Sequence, residues 1–186
     1  MMLTLENLIN EYAALETEIR KIMTHLFSGT CGLCTACCCR ADICEEAVES
    51  AFLARLLKKQ GLGEKDMDDR FGWLDLSGCS LDYGRPPVCY AYYCDELLAR
   101  LPDDTHRYSA GVLGKLILHI GQQALGNRHL VEIMDPDDLE KINYDRVFQR
   151  LEEAQAAFEV IKAYLASGML NKADREVLAV ITTEEP

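Results

Sequence analysis

Hydrophobic residues recur near the start of the chain in alternating steps of three and four, the heptad spacing of an amphipathic helix. Thr4 is the expected N-cap and Ser28-Gly29 the expected stop, so the pattern predicts an N-terminal amphipathic helix within residues 1–28. Its apolar face has two interpretations, packing on the chain's own domain or a homodimer interface. The face consists of Leu5, Leu8, Tyr12, Leu15, Ile19, Ile22 and Leu26.

The next periodic stretch predicts a helix over residues 42–60, with a capping-box-like start at Asp42 and Glu45 and a stop at glycine. Residues 61–70 are polar and unpatterned, which predicts a loop. Residues 71–94 are dense in aromatic residues, glycine and proline, and predict turns with short extended pieces. A short helix over residues 95–101 closes at the following proline.

The C-terminal half begins with a predicted helix over residues 109–125, stopped by Gly126. Three glycines inside it, Gly111, Gly114 and Gly121, indicate close packing against a neighbour. Residues 128–134 alternate briefly between apolar and polar, which predicts a short strand.

Helix signals continue to the end of the chain. Asp135-Pro136 is an N-cap followed by proline at the first helical position, and a long helix should end near Ser167-Gly168. Asn171 should cap a last helix. We therefore predict an all-α fold, a helical domain with an irregular cysteine-rich metal-binding segment. We expect a single domain over residues 1–186, with the cysteine-rich segment at 31–94 and the C-terminal helices at 105–182.

Composition narrows the class of partner. A length of 186 residues with 49% hydrophobic content is enough for one domain with a real core. The chain has 19 Lys and Arg against 31 Asp and Glu, so its net charge is -12. Because nucleic acids and anionic membranes are also negative, we expect neither as a partner. The longest apolar stretch, around Val112–Ile120, is too short to span a bilayer, and the first residues do not resemble a signal peptide.

Nine cysteines against four histidines form the most unusual feature of the chain. Six lie between Cys31 and Cys44 and the other three between Cys79 and Cys94. An odd number of cysteines in two tight groups is not the pattern of a disulfide-stapled secreted protein. We therefore expect a reducing cytoplasm, where clustered thiols are typical of metal or redox chemistry.

The first cysteine group has the spacing C-x2-C-x2-C at Cys31, Cys34 and Cys37, followed at once by Cys38. Two intervening residues let a tight turn direct two sulfurs at one ion. The same triple opens the bacterial ferredoxin run, although its fourth cysteine is absent here from the usual place. Adjacent side chains point apart, so Cys37 and Cys38 are expected to serve two centres, or one of them a neighbouring contact. Cys39 and Cys44 have two open interpretations, ligand or buried small hydrophobe.

The second cysteine group comprises Cys79, Cys89 and Cys94. Pro86-Pro87 stiffens the connection between the first two and so lowers the entropy cost of presenting both sulfurs together. Arg85 is a candidate to offset thiolate charge, because a four-thiolate zinc site is formally dianionic. The alternative is an ordinary surface arginine.

The sequence C-G-L-C-T-A-C-C, followed later by G-C-S-L-D-Y-G-R-P-P-V-C-Y-A-Y-Y-C, resembles the CxxCxxCC family, also called YkgJ-like and described as zinc- or iron-chelating domains. The resemblance covers about a third of the chain, within residues 31–94. Three departures from the family pattern are Phe71 where many members have cysteine, Tyr90 where arginine is usual, and Tyr92 where phenylalanine is common. The missing cysteine would be restored by Cys39 or Cys44. The resemblance implies metal or iron–sulfur binding, with the candidate ligands Cys31, Cys34, Cys37, Cys38, Cys79, Cys89 and Cys94.

Other signals are weaker. The histidines are scattered without ligand spacing, and only His25, six residues before the first cysteine, is near a group. Aromatic residues around the second group are expected to shield a metal site: Trp73, Tyr83, Tyr90, Tyr92 and Tyr93. No catalytic base or cofactor loop is recognisable, so whether the protein is an enzyme stays open. The leading hypothesis is an iron–sulfur protein with an electron-transfer, redox or undefined oxidoreductase-type role. The alternative is a structural zinc module of a helical interaction domain. A methyltransferase-like enzyme, resembling flagellin lysine methylases, is a third.

Overall fold

A computed structural model describes residues 3–27, 40–75 and 78–182. The fold is mostly helical, which confirms the all-α prediction. The helices are α1 Leu5–Leu26, α2 Ala41–Cys44, α3 Glu46–Glu49, α4 Ala51–Lys59, α5 Val88–Ala91, α6 Asp95–Ala99, α7 Asp104–Gly121, α8 Tyr144–Ser167 and α9 Lys172–Thr182. Short 3₁₀ turns lie at Glu64–Asp66, Leu130–Glu132 and Pro136–Lys141.

The two strands form a small antiparallel hairpin, β1 Leu74–Asp75 with β2 Gly78–Cys79. Leu74 pairs with Cys79 and Asp75 with Gly78. This agrees with the predicted short extended pieces and places the first cysteine of the second group at a strand end.

Helix α1 begins where its sequence predicts, because the Thr4 side chain accepts a hydrogen bond from the Asn7 N–H at 3.2 Å. The middle of its heptad face, Leu8, Tyr12, Leu15 and Ile19, is buried in the chain's own core. Leu5, Ile22 and Leu26 are only partly buried against that core. The packing interpretation of this face is therefore confirmed, while the homodimer stays a prediction that rests on its two ends.

The helix predicted over residues 42–60 is broken, so that expectation is wrong. Its backbone leaves the helix at Ser50, whose ψ is 121°, which separates α3 from α4, while α2 and α3 meet at Glu45 in helical conformation. The break lets the Ala51 N–H donate to the carbonyl of Ile133 at 2.8 Å instead of continuing the helix. Ser50 then serves as the N-cap of α4, accepting from the Leu53 N–H at 3.3 Å. Asp42 pairs with Arg40 rather than capping a helix.

Substituting Ser50 tests this break. Ser50 is fully buried, so Ser50→Ala should lower the free energy of unfolding by about 1–2 kcal/mol through loss of the cap. The matched control is Ser109→Ala, because the Ser109 hydroxyl is equally buried and no described residue forms a hydrogen bond with it. Removing an unsatisfied buried hydroxyl should be neutral or stabilising. Urea melts of the two variants give the comparison, and equal losses of stability would contradict the capping role.

Two other elements of the structure differ from their predictions. Helix α7 begins at Asp104, five residues before the predicted Ser109, because Asp103 Oδ1 accepts from the His106 N–H at 2.9 Å. The strand predicted over residues 128–134 is a 3₁₀ turn, so that expectation is wrong. His129 and Glu132 lie at the two ends of this turn and hydrogen-bond to each other. The Glu132 side chain accepts from the His129 N–H at 2.6 Å. These local bonds replace pairing with a second strand.

The C-terminal helices follow their sequence signals. Asp135 caps the proline-led 3₁₀ turn, and α8 ends at Gly168, whose φ of 67° only glycine adopts freely. Asn171 Oδ1 accepts from the Asp174 N–H at 2.9 Å at the start of α9. Helix α7 contacts α1, α5, α8 and α9, so it is the element around which the main core is built.

A second, smaller apolar cluster lies under the hairpin. It contains the buried residues Cys44, Ala47, Leu57, Trp73 and Leu81, with Cys79 packed against it. This cluster brings residues of both predicted cysteine groups into one part of the molecule. No helix in the described ranges combines the length and apolarity that crossing a membrane needs.

Candidate metal centre

Four of the nine cysteines fall within the described residues: Cys44, Cys79, Cys89 and Cys94. Cys44, at the end of α2, is buried, and Cys79, at the end of β2, is half-buried. Cys89 lies exposed within α5, and Cys94 lies half-buried just before α6. The remaining predicted ligands, Cys31, Cys34, Cys37 and Cys38, lie outside the described residues together with Cys39.

Three of the described thiols are close enough to affect one another electrostatically. Surrounding protein atoms desolvate the Cys89 thiol, and the neighbouring Cys79 and Cys44 add to that effect, so the pKa of Cys89 rises to about 12. Cys44, which has no place in the family pattern, thus shares the surroundings of two predicted ligands. Cysteine binds metal as the thiolate, so a cation bound at Cys89 would have to offset this rise in pKa.

Two arginines, Arg85 and Arg20, donate hydrogen bonds to the backbone at Cys79. Arg85 Nη2 donates to the carbonyl of Leu81 at 3.0 Å and to that of Cys79 at 3.4 Å. Arg20 Nη2 donates to the same Cys79 carbonyl at 3.0 Å, and its other end pairs with Asp82. The Arg85 charge opposes the rise in the pKa of Cys89. Arg85 is therefore not an ordinary surface arginine, and its compensation of thiolate charge at a metal site stays a prediction.

A buried hydrogen-bond donor, the indole N–H of Trp73, lies in the same region. Trp73 is only 3% exposed, and its indole N–H has no hydrogen-bond partner among residues 3–27, 40–75 and 78–182. It belongs to the small cluster that contains Cys44 and against which Cys79 packs. A buried donor without a partner costs about 1–3 kcal/mol, and N–H groups commonly bond to metal-bound thiolates. Within the described part of the chain, the Trp73 indole is therefore an available donor to a thiolate of the predicted centre.

The backbone is packed unusually closely around these thiols. Gly72 has a φ of +60°, and a Cβ added there would lie 2.6 Å from Cys44 Cβ. Gly114 of α7 faces α5, and a Cβ there would lie 2.5 Å from the Tyr90 carbonyl oxygen. Tyr93 fixes the other end of α5, donating from its hydroxyl to the Ala110 carbonyl at 2.7 Å. Helix α7 therefore positions the helix that carries Cys89.

The glycine pattern of α7 is confirmed at two of its three positions. Gly114 packs on α5, and Gly121 lies so close to the His129 ring that any Cβ would overlap it. Gly111 has no atom within 4 Å of an added Cβ, so the prediction of close packing is wrong there.

Glu16 is the residue of this region that sequence reasoning missed. It lies on α1, is fully buried, and accepts three hydrogen bonds from the segment between Cys79 and Cys94. Burial raises its pKa, and the three donors act in the opposite direction. The available signal was its position four residues after Tyr12 and next to Leu15, which places a carboxylate within the apolar face of α1.

The predicted aromatic shield is present only in part. Trp73 and Tyr90 are buried, whereas Tyr92 is 59% exposed. Tyr83 is partly buried against the main core, and Tyr93 contacts Phe27 with 5.3 Å between ring centroids. Only Trp73 packs in the cluster that contains Cys44, Tyr90 belongs to the main core, and shielding of a metal site stays a prediction.

The histidines have other partners. His106 pairs with Asp103, His119 with Glu153, and His129 donates from Nε2 to the Leu118 carbonyl at 2.8 Å. His25, the one histidine near a cysteine group in sequence, is exposed in the last turn of α1. Among residues 3–27, 40–75 and 78–182, no three His, Cys, Asp or Glu side chains are arranged to hold a metal ion. Metal ligation by the nine cysteines stays a prediction.

Comparison with known proteins adds no relative: no family model, curated protein or solved structure matches the chain.

Proposed function

We propose that this chain is a cysteine-ligated metal-binding protein that carries an iron–sulfur cluster in an electron-transfer or other redox role. The observation that supports this most is the position of two predicted ligands, Cys79 and Cys89, beside Arg85, whose guanidinium donates to the Cys79 carbonyl at 3.4 Å and whose charge acts on the Cys89 thiol. The C-x2-C-x2-C-C spacing of residues 31–38 supplies further thiols of the same kind. A donor set made of thiols is the one that iron–sulfur clusters and zinc prefer.

The resemblance to the CxxCxxCC family names the ligands in this proposal: Cys31, Cys34, Cys37, Cys38, Cys79, Cys89 and Cys94, with Cys39 and Cys44 as additional candidates. A bound cluster supplies one-electron transfer. The protein's own part is electrostatic, because Arg85 offsets the charge of the thiolates. Clustered thiols in the sequence are typical of a reducing compartment, so the proposal includes a cytoplasmic location.

The single tryptophan makes this proposal testable on the intact protein. Trp73 is the only tryptophan of the chain and packs in the cluster that contains Cys44. An iron–sulfur cluster absorbs in the region where tryptophan emits, so stripping it from anaerobically purified protein with an iron chelator should raise the emission. Iron is measured on the same sample before and after. Emission that does not change as iron leaves would contradict a centre at Trp73, and zinc without iron would replace the proposal by its alternative, a structural zinc module.

Cys44 and Cys37 should differ as ligands. Because Cys44 lies outside the family pattern, Cys44→Ser should keep most of the bound metal, whereas Cys37→Ser should lose most of it. Cys44→Ser should instead lower the free energy of unfolding by about 1–3 kcal/mol, since it places a hydroxyl in an apolar cluster. Metal content per chain and thermal melts of both variants decide this. Equal metal loss in the two would show that the ligands are wrongly assigned.

A further inference from the structure

Glu16 is a charged residue with no exposed surface, on a helix that contains no cysteine. Its carboxylate is held by one short segment of chain. Gly84 N–H donates to Oε2 at 2.7 Å, and Arg85 N–H donates to Oε1 at 3.0 Å. Tyr90 O–H donates to Oε1 at 2.7 Å. All three partners are donors, which is the environment of an ionised carboxylate.

Two of the three donors come from Arg85 and from Tyr90, the residue that follows Cys89. Arg85, held by its backbone, directs its guanidinium to the carbonyls of Leu81 and Cys79. Tyr90, held by its hydroxyl, is the residue next to Cys89, and its ring lies 5.9 Å from the Arg85 guanidinium carbon. One buried carboxylate thus fixes the positions of the cation and of the helix that carries a predicted ligand.

Helix α1 also precedes the other cysteine group. It ends at Leu26, and Cys31 follows five residues later. Glu16 therefore ties the segment of the second cysteine group to the helix from which the first group follows.

We propose that Glu16 is a positioning residue of the metal centre, which fixes Arg85 and Cys89 relative to Cys79 and so determines how tightly the centre is bound. This inference rests on the proposed function. Side chains that orient metal ligands typically change metal affinity by about 10–100-fold when they are substituted. The expected effect therefore separates Glu16 from an ordinary buried residue.

The test compares three full-length variants with the wild-type chain. Glu16→Gln keeps the size but turns an amide toward donors. Tyr90→Phe removes one of the three hydrogen bonds and leaves the two backbone donors in place. Glu18→Gln is the matched control, because Glu18 lies on the same helix but is exposed and pairs only with Lys21 in the contacts seen here.

The first measurement is Co²⁺ titration of the reduced proteins under anaerobic conditions, followed by thiolate-to-metal absorption and competition with a chelator. Glu16→Gln should bind Co²⁺ at least about tenfold more weakly, Tyr90→Phe about threefold, and Glu18→Gln as the wild type does. Wild-type protein that binds neither Co²⁺ nor iron would overturn the proposed function. Wild-type protein that binds, with Glu16→Gln and Tyr90→Phe binding equally well, would overturn only the role of Glu16.

The second measurement separates positioning from general stability. At saturating Co²⁺, iodoacetamide labelling read by mass spectrometry should modify Cys89 in Glu16→Gln but not in the wild type, while Cys79 stays protected in both. Amide hydrogen exchange at Gly84 and Arg85 should accelerate in the same variant. If Cys89 stays protected and Glu16→Gln only melts at a lower temperature, Glu16 stabilises the fold and does not position the centre.

Discussion

Replacing Gly114 by alanine is expected to destabilise the protein by about 2–3 kcal/mol and to displace the helix that carries Cys89. A Cβ at this position would lie 2.5 Å from the Tyr90 carbonyl and 3.2 Å from the Ala91 Cα, both backbone atoms that cannot rotate away. Helices α5 and α7 must therefore separate. The loss of stability is measured by urea unfolding, and the metal content of the purified variant should fall with it.

Gly111→Ala is the matched control for this prediction. Gly111 is on the same helix and is exposed, with no atom within 4 Å of an added Cβ. Alanine is the better helix former, so this variant should be more stable than the wild type by about 0.5–1 kcal/mol. Opposite signs for the two substitutions would confirm the close approach of α5 and α7. A Gly114→Ala protein as stable as the wild type would contradict it.

The second large effect is expected from Cys34→Ser, in the middle of the C-x2-C-x2-C-C run. A hydroxyl is a poor ligand for a soft metal, and metal binding is coupled to folding in small cysteine-rich segments. The variant should lose its metal and melt at a lower temperature. Thr35→Ser is the control, because it changes the neighbouring residue of the same segment without removing a thiol. Full metal content with unchanged melting in Cys34→Ser would refute a structural role for this cysteine.

Much of the helical framework could be predicted because its signals are local. Thr4 caps α1, Asn171 caps α9 and Gly168 ends α8 through atoms within four residues of each other. Such contacts join residues that are close together in the sequence, so a sequence pattern is enough to predict them. The short strands and turns around Cys79 followed in the same way from glycine and proline.

The errors arose where distant residues decide the local structure. The break at Ser50 depends on the Ala51 N–H reaching the carbonyl of Ile133, and helical periodicity does not reveal that contact. The strand expected over residues 128–134 had the right alternation but no partner strand, and His129 closed a 3₁₀ turn instead.

The sequence predicted which residues form the candidate site but not which other residues surround them. Spacing and resemblance pointed to the cysteines and to Arg85, and the structure places Cys79 and Cys89 near that arginine. It does not describe Cys31, Cys34, Cys37 or Cys38. Glu16 was missed because its role depends on donors from a segment more than sixty residues away. A buried carboxylate in an apolar helix face is recognised only when its partners are seen.

Anaerobic purification followed by metal analysis and a visible absorption spectrum on one sample tests the central claim most directly. Iron with acid-labile sulfide and a broad absorption band near about 400 nm is the predicted result, and it would make the reduction potential the next quantity to measure. Stoichiometric zinc with a featureless visible spectrum would contradict the redox role and leave a structural zinc module. Protein that folds fully with neither metal would contradict the account of its cysteines altogether.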